Sequence, residues 1–308
     1  MEVLLVLFAA ASWDLLLGEP PSRFHPVAWM GKYIGAFWNR RPPSGDSRTM
    51  LIFGGVLVVS GALLFSLPLR LVGFMPPLVA SLLAVPLLKS VFSIGTLLKA
   101  GEEVLGALER GDLPEARRLL SWNLVSRGTD DLSEEEVVGA TAESLAENLT
   151  DSLASPLFFY ALFGLPGAFF YRFCNTCDSM IGYRGGETEW GGKIAARLDD
   201  ILNWIPARVT AMLLLAAGVL ADEDAIRGAE ALRDQRRNTE SPNAGWTMSV
   251  MAGLLSVTLE KRGQYSLAGG SEPLCTQTLR RCLKVTRVAA ALILACAAVL
   301  GGLHAVFR

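Results

Sequence analysis

The sequence predicts an all-α protein, a polytopic integral membrane helical bundle whose membrane helices are joined by long amphipathic helical loops. Of its 308 residues, 51% are hydrophobic and only 19% are charged, and the mean hydropathy is +0.38. Soluble domains carry about 25% charged residues, so this composition is typical of a membrane protein. Several apolar runs also approach the roughly 20 residues that a helix needs to cross a bilayer.

Six apolar stretches are candidate membrane spans within one integral membrane domain that covers residues 1–308. They lie at 3–17, 50–67, 71–88, 153–171, 204–220 and 285–303. The first has no basic segment before it and contains Asp14, so we expect a retained helix and not a signal peptide. Asp14 is either a functional acid inside the membrane or a helix-end residue whose carboxylate reaches water. The third stretch could continue past Lys89 toward Leu98.

The fourth stretch is interrupted by helix-breaking residues. These are Pro156, Gly164, Pro166 and Gly167. Helix breakers at membrane depth are tolerated where neighbouring protein or a water-filled cavity satisfies the backbone groups that they free. The stretch at 153–171 therefore either spans the membrane or is re-entrant.

The basic residues predict an orientation. With six spans, the hydrophilic stretches 18–49, 89–152 and 221–284 share one face, and they hold most of the Lys and Arg. Positively charged loops favour the cytoplasm, so we expect a multi-pass protein of the cell (inner) membrane with a site that faces the cytoplasm. The polar stretch 172–203 then falls on the other face, unless 153–171 is re-entrant or its polar groups reach into a cavity within the bundle.

Two classes of site are not expected. The net charge is −2, so nothing indicates a nucleic-acid surface. Cys174 and Cys177 have metal-ligand spacing, but no second close pair and no nearby histidine accompanies them. The cysteines therefore predict neither a structural zinc site nor a redox pair.

A helix that starts at about residue 134 and runs toward 152 carries three carboxylates. Ser133 and Glu136 form a capping box at its start. Glu143, Glu147 and Asp151 stand four residues apart, and each step advances about 400° and about 6 Å, so they form one stripe. The stripe is either the solvated side of an amphipathic helix or a binding site.

The surrounding charge favours the second interpretation. Between Arg127 and Arg172 the sequence has eight acids and no Lys or Arg. Like charges four residues apart repel, so their partner must come from elsewhere in the fold or from a bound cation. Carboxylate oxygens, with Asn148 beside them, suit Mg²⁺, which usually also holds phosphate oxygens.

The stretch 171–211 is dense in residues that do chemistry. Its carboxylates are Asp178, Asp199 and Asp200. Its cations, which suit phosphate or carboxylate, are Arg184, Lys193, Arg197 and Arg208. Its neutral hydrogen-bonding residues are Asn175 and Asn203. For each basic residue the alternative is an anchor at the membrane interface. The segment "GGKI" resembles a P-loop but fails, since Glu187 stands where glycine is required and Ile194 where Ser or Thr is required.

Two shorter polar segments add candidates. In "GEPPSRFHPVAWMGKYIG", residues 18–35, His25 precedes Pro26 in an extended turn, and Lys32 could meet a phosphate. A single histidine in a loop is more often structural. In "NTESPNAGWTMSVMAGLL", residues 238–255, turn residues that include Asn243 lead into an apolar stretch.

Five segments in this order resemble one known family. They are "HPVAWMGKYIG", "AESLAENLTDSLASPLF", "NTCDSMIGYR", "AARLDDILNWIPAR" and "SPNAGW". Over about residues 14–265 the chain closely resembles the membrane-bound CobD/CbiB family of cobalamin biosynthesis, the adenosylcobinamide-phosphate synthases. Cys177 departs from the aliphatic residue that the family carries there, which favours a packing role for it.

The resemblance implies an ATP- and Mg²⁺-dependent amide ligation. The substrates would be adenosylcobyric acid, a corrinoid, and (R)-1-amino-2-propanol or its O-2-phosphate, and the product adenosylcobinamide or its phosphate. The partners would be the lipid bilayer and other membrane-associated enzymes of cobalamin assembly. The rival classes are a membrane transporter, which also uses intramembrane acids and broken helices, and a lipid-head-group phosphotransferase.

On this hypothesis the residues divide into three roles. Glu143, Glu147 and Asp151 hold Mg²⁺. Asp178, Asp199, Lys193 and His25 are the catalytic candidates, with His25 or a carboxylate taking the proton of the attacking amine. The residues expected to bind ATP and the phosphate of the amine are Lys32, Asn148, Asn175, Arg184, Arg197, Asp200, Asn203 and Asn243.

Overall fold

The computed structural model describes residues 2–42, 46–182 and 189–306, and most of these residues are α-helical. The elements in chain order are α1 (Glu2–Leu17), α2 (Pro26–Trp38), α3 (Ser47–Ser66), α4 (Pro77–Lys89), α5 (Gly95–Glu109), α6 (Leu113–Asn123), α7 (Glu134–Asn148), α8 (Ser155–Ile181), α9 (Glu189–Leu202), α10 (Trp204–Leu220), α11 (Ala225–Gln235), α12 (Ala244–Leu254), β1 (Thr258–Lys261), β2 (Tyr265–Ala268) and α13 (Thr276–Val306). Short 3₁₀ segments lie at Ser22–Phe24 and Leu67–Phe74, and a π-helical turn lies at Leu149–Ala154. The predicted all-α fold class is confirmed.

Within the described ranges, three helical segments are long and apolar enough to cross a membrane. They are Ser47–Phe74, Glu134–Ile181 and Thr276–His304. Helices α9 and α10 pass the same test only when they are taken together as one broken span. The apolar helices Leu4–Leu17 and Pro77–Lys89 are shorter. The chain is therefore a helical membrane protein, and each of the six predicted apolar stretches contains one of these helices or part of one.

The third predicted stretch differs in detail from the structure. Residues 67–74 form the 3₁₀ segment, and α4 begins only at Pro77. The consecutive prolines Pro76 and Pro77 separate the two, because proline has no N–H and fits the first turn of a helix but not its interior. Helix α4 ends at Lys89 and α5 begins at Gly95, so the helix does not continue toward Leu98.

Helix α8 is broken at Gly164, inside the predicted fourth stretch. Gly164 has φ 66° and ψ −159°, a conformation that is open essentially to glycine alone. Pro166 follows within the first turn of the helix that resumes, where its missing N–H costs nothing. A broken span and a re-entrant segment both require such a break.

The described residues cluster into two compact units. Unit 1 contains residues 1–93, 155–203 and 296–308, and unit 2 contains residues 94–154 and 204–295. In unit 1, α3 packs against α8 and α9. The rings of Phe65 and Phe173 stack there with centroids 5.5 Å apart. A Cβ at Gly61 would overlap the ring of Phe173, so glycine permits this close approach of α3 to α8.

In unit 2, α7 packs against α5, α6, α12 and the hairpin formed by β1 and β2. The predicted capping box is confirmed: the Ser133 hydroxyl accepts from the backbone N–H of Glu136, and the Glu136 carboxylate accepts from the backbone N–H of Ser133 at 2.8 Å. Helix α7 and the π-helical turn together cover 134–154, close to the predicted range. Arg262, in the turn of the hairpin, donates to the same Glu136 carboxylate at 2.6 Å. The hairpin is anchored in unit 2 mainly by its buried Leu259 and Leu267, and this exposed ion pair adds little.

Candidate functional site

Glu143 and Glu147 line a small cavity in unit 2, which we call the α7 pocket. Its volume is about 160 Å³, and its polar lining comprises Ser126, Arg127, Glu143, Ser144, Glu147, Lys261 and Tyr265. Helix α7 supplies the two glutamates and Ser144. Arg127 comes from the connection between α6 and α7. Lys261 ends β1 and Tyr265 begins β2, and the two are paired in the hairpin register, which places their side chains on one face.

The connection that carries Arg127 is held in place by side-chain hydrogen bonds. Arg117 donates to the Leu132 carbonyl at 2.7 Å, and the buried Thr129 donates to the Arg117 carbonyl at 2.8 Å. Ser144 donates to the Leu124 carbonyl at 2.8 Å, which ties the start of the connection to α7. The pocket is thus built on an ordered frame of helix, connection and hairpin.

The α7 pocket combines charges of both signs. Glu143 is only 5% exposed, and one of its oxygens, Oε2, lies 3.9 Å from Nη2 of Arg127. Its other oxygen, Oε1, is buried and has no hydrogen-bond partner among the described residues. A buried acceptor without a partner is unfavourable by about 1–3 kcal/mol. An incoming donor or cation would remove that penalty.

Tyr265 adds a hydroxyl donor to the pocket. Burial, together with the neighbouring charges of Glu143 and Glu147, raises the pKa of its phenol far above the ordinary value. The phenol therefore stays protonated at neutral pH and can donate a hydrogen bond to an anionic ligand or to a carboxylate.

The other residues predicted for this helix have different surroundings. Asn148 donates to the Ser144 carbonyl at 2.9 Å and accepts from the Ser152 hydroxyl at 2.9 Å, so its amide is engaged along the helix. Asp151 lies in the π-helical turn, partly exposed, and is not part of the pocket lining. Within the described ranges, no three His, Cys, Asp or Glu side chains are grouped so that they could hold a metal ion together. A metal at Glu143 and Glu147 would need further oxygens from a substrate or water.

Three predicted residues of unit 1 form one buried network. Asp199, 8% exposed, accepts from the Asn175 amide at 3.1 Å and from the Asn203 amide at 2.9 Å. The Asn203 carbonyl oxygen in turn accepts from the hydroxyls of Tyr171, at 2.9 Å, and Ser155. Both oxygens of Asp199 are therefore engaged. The network links the end of α9 to α8 and fixes the orientation of these side chains.

The remaining described residues predicted in 171–203 are more exposed than this network. Lys193 lies with its ammonium 4.1 Å from the centroid of the Trp190 ring, a cation–π contact. Arg197 is exposed, and Asp178 and Asp200 are half-buried. Arg184 lies outside the described residues.

His25 belongs to a charged network that the sequence does not predict. Its Nε2 lies 3.0 Å from the Glu19 carboxylate, and the Lys89 ammonium lies 2.7 Å from the other Glu19 oxygen and 2.8 Å from Asp14. Burial alone would raise the pKa of Glu19, but hydrogen bonds from His25 and Lys89 outweigh it and lower the pKa to about 2. Lys89 and Asp14 are 1% and 2% exposed. Asp14 is therefore a buried ion-pair partner and does not reach water, whereas Lys32 is exposed on α2.

Asn243 lies beside an arginine held between two tryptophans in unit 2. Arg208 donates to the Asn243 side-chain oxygen at 2.8 Å and to the Trp204 carbonyl at 2.7 Å. Its guanidinium lies 4.3 Å from the Trp204 ring and 4.5 Å from the Trp246 ring. Such stacking is favourable and holds the guanidinium in one plane.

Sequence reasoning missed Arg127, Lys261 and Tyr265 as parts of the pocket. One usable signal was the segment "TLEKRGQYSLA", whose alternation around an Arg-Gly turn is typical of a hairpin. Gly263 in that turn has φ 70°, as expected for a short hairpin loop. No local signal indicates that the hairpin packs on α7, because that contact joins segments more than a hundred residues apart.

The fold is that of a polytopic helical membrane protein, and charged side chains cluster at several places in it. A family model described as CobD/Cbib protein matches residues 7–295. The chain therefore belongs to the CobD/CbiB family of cobalamin biosynthesis.

Curated relatives agree with this assignment. The chain is 44% identical to the "Probable cobalamin biosynthesis protein CobD" of Methanothermobacter thermautotrophicus, over 93% of this chain and 94% of the relative. It is 40% identical to the "Cobalamin biosynthesis protein CobD" of Dehalococcoides mccartyi, over 91% of each. It is 39% identical to the "Probable cobalamin biosynthesis protein CobD" of Thermococcus kodakarensis, over 92% and 91%. The comparison with solved structures found none that matches the chain.

Proposed function

We propose that this protein catalyses an ATP- and Mg²⁺-dependent amide ligation between adenosylcobyric acid and (R)-1-amino-2-propanol or its O-2-phosphate. The observation that carries the proposal is membership of the CobD/CbiB family across residues 7–295. The α7 pocket supports it independently, because carboxylates and cations placed together suit substrates that bring phosphate and positive charge.

The chemistry requires an activated carboxylate. An oxygen of the corrinoid propionate attacks the γ-phosphorus of ATP, and ADP leaves, which gives an acyl phosphate. The amine nitrogen then attacks the acyl carbon, inorganic phosphate leaves with the former propionate oxygen, and the nitrogen loses a proton. Phosphoryl transfer of this kind depends on positioning and on electrostatic stabilisation more than on covalent chemistry by the protein.

The residues of this chain fit parts of that requirement. Glu143 and Glu147 supply carboxylate oxygens for a hard cation, and Oε1 of Glu143 is buried without a hydrogen-bond partner among the described residues. When bound there, Mg²⁺ would offset the charge of the transferring phosphoryl group. Asp151, predicted as a third ligand, is outside the pocket lining, so phosphate and water oxygens would complete the coordination.

Other side chains would transfer the proton and neutralise the charge of the phosphates. His25 with Glu19 is a histidine–carboxylate pair of the kind that can accept a proton from an attacking amine. Lys32, Lys193 and Arg197 are cations at least partly accessible to solvent, and they would neutralise phosphates of the substrates. Asp199, with both oxygens accepting amide hydrogens, is better suited to positioning than to proton transfer.

Isotope transfer tests the proposed route. A corrinoid whose propionate carries ¹⁸O is incubated with ATP, Mg²⁺, the amine and purified protein. We expect one ¹⁸O atom in inorganic phosphate, with ADP as coproduct. Label in AMP, together with pyrophosphate, would mean attack on the α-phosphorus. Amide formation without any transfer of label would contradict activation by ATP altogether.

A transporter is the second candidate, favoured by the buried Asp14–Lys89 pair in apolar helices, since intramembrane charges also mark ion pathways. A transporter would move a solute without joining corrinoid and amine. Product analysis by mass spectrometry separates the two, because only the ligase yields a corrinoid whose mass has increased by that of the amine less one water.

A further inference from the structure

We propose that the α7 pocket binds a phosphoryl group accompanied by a positive centre, with Arg127 and Lys261 facing the phosphoryl oxygens and Glu143 and Glu147 facing the positive centre. The inference rests on the proposed function and assigns the phosphate-binding residues that neither the motifs nor the family membership specifies. The ligand is either the phosphate end of Mg²⁺·ATP or a small zwitterionic amino-alcohol phosphate.

The size of the pocket limits what it can hold. Its volume is about 160 Å³. Pockets for drug-sized molecules are typically about 300–1,000 Å³. The α7 pocket therefore takes a fragment of a few heavy atoms, such as one phosphoryl group with one cation, and excludes the body of a nucleotide or a corrinoid.

The charges of the pocket exclude simpler ligands. An anion alone would meet the carboxylates of Glu143 and Glu147, and a cation alone would meet Arg127 and Lys261. A ligand that carries both signs satisfies all four groups. Burial of Glu143 strengthens this need for a ligand with both charges, because electrostatic interactions are stronger in a water-poor site than at the surface.

The polar groups of the pocket suit such a ligand. Arg127 lies 3.9 Å from Glu143, beyond hydrogen-bond distance, so its guanidinium donors are not committed to that carboxylate. Oε1 of Glu143 is buried without a hydrogen-bond partner among the described residues. Tyr265, beside Lys261, keeps its proton and is hydrogen-bonded to the Glu143 carboxyl group, which helps to hold that side chain in the pocket. An acceptor for the donors and a positive centre for the carboxylate oxygen would complete the arrangement.

The kinetic test compares two neighbouring cations of the hairpin. Lys261→Gln removes a pocket cation, whereas Arg262→Gln removes the adjacent one, which pairs with Glu136 outside the pocket. We expect Lys261→Gln to raise the KM of one phosphorylated substrate about tenfold or more, the effect of losing one charged hydrogen bond. Lys261→Arg should restore most of it, and Arg262→Gln should leave KM unchanged.

The substrates separate the two sources of the phosphoryl group. A rise in the KM of ATP, with the KM of the amine unchanged, identifies the pocket as the site of Mg²⁺·ATP. A rise in the KM of the amine phosphate, but not of free 1-amino-2-propanol, identifies it as the amine site. Unchanged KM values for every phosphorylated substrate in both Lys261→Gln and Arg127→Gln would overturn the assignment.

A binding measurement keeps the inference distinct from the proposed function. In detergent, Mg²⁺·ATP or the amino-alcohol phosphate should raise the Tm of the wild-type protein and of Arg262→Gln, and the same ligand at the same concentration should raise the Tm of Lys261→Gln by clearly less. This holds whether or not the preparation forms the amide. A preparation that shows these Tm shifts but forms no amide would contradict the proposed reaction and still support the assignment of the pocket. Equal shifts of Tm in all three proteins would contradict the pocket.

Discussion

At the scale of single residues, the protein keeps charged side chains inside each unit by surrounding them with opposite charges. In unit 1, Lys89 is 1% exposed and contacts both Asp14 and Glu19. In unit 2, Glu143 is 5% exposed and lies near Arg127. The charges of the first group pair at 2.7–2.8 Å, whereas Arg127 and Glu143 in the second lie 3.9 Å apart. We therefore assign the first a mainly structural role and the second a role in binding.

Glu147→Gln should lower kcat/KM about 100-fold while the protein remains folded in detergent, because it removes a charge that would face the proposed cation and keeps the shape of the side chain. Its Tm should stay the same or rise, since a repulsion between neighbouring carboxylates is relieved. Glu135→Gln, at an exposed position of the same helix, is the control and should retain activity. Wild-type turnover by Glu147→Gln would contradict the role of the carboxylate.

Lys89→Met should lower the free energy of unfolding by about 3–5 kcal/mol, because Asp14 would be left as an unpaired buried charge. The double variant Asp14→Asn with Lys89→Met should recover much of the loss, since both charges are then gone. Thermal unfolding in detergent measures both. A double variant no more stable than Lys89→Met would mean that packing, and not charge pairing, sets the effect.

At the scale of elements, a short β-hairpin and a break in one helix determine what the helices can present. The hairpin, which turns at Gly263, brings Lys261 and Tyr265 to α7, and its Leu259 and Leu267 are fully buried. The break at Gly164 divides α8 into two shorter helices. Neither follows from helical periodicity, and both depend on single residues that adopt or hold an irregular conformation.

Gly164→Ala should destabilise the protein by about 1–3 kcal/mol, because alanine is strained at φ 66° and ψ −159°. The matched control is Gly35→Ala, on α2, where the backbone is helical and a Cβ would meet no atom within 4 Å. That variant should be neutral or more stable, since alanine favours helix by roughly 0.5–1 kcal/mol over glycine. Equal unfolding temperatures for the two variants would argue against a required break.

The sequence predicted the helical fold and the boundaries of several elements because their causes are local. The capping box of Ser133 and Glu136, for example, depends on residues three positions apart. Only the acidic residues of the α7 pocket could be predicted. Glu143 and Glu147 stand out because no Lys or Arg lies near them in the sequence, whereas Arg127 and Lys261 reach them through tertiary packing. The Asp14–Lys89 pair was missed for the same reason, since its partners lie 75 positions apart in the sequence.

At the scale of the whole molecule, the chain is a helical membrane protein of the CobD/CbiB family, and its orientation is a prediction. If ATP is the cosubstrate, the hydrophilic stretches 18–49, 89–152 and 221–284 should face the cytoplasm. Single cysteines at the exposed positions Ser22, Ser121 and Pro242, in a background without the five native cysteines, report this. We expect membrane-impermeant maleimide to label each only after the cytoplasmic side is made accessible. Labelling of Ser121→Cys or Pro242→Cys from outside intact cells would contradict the orientation.

The central claim is that this protein joins a corrinoid carboxylate to an amine and converts ATP to ADP and phosphate in the reaction. The most direct measurement is ADP release by purified protein with Mg²⁺·ATP in four mixtures: no further substrate, corrinoid alone, amine alone, and both together. We expect sustained ADP release only with both, in a one-to-one ratio with amide product. ADP release that is the same in all four mixtures, or amide formation without ATP, would contradict the account.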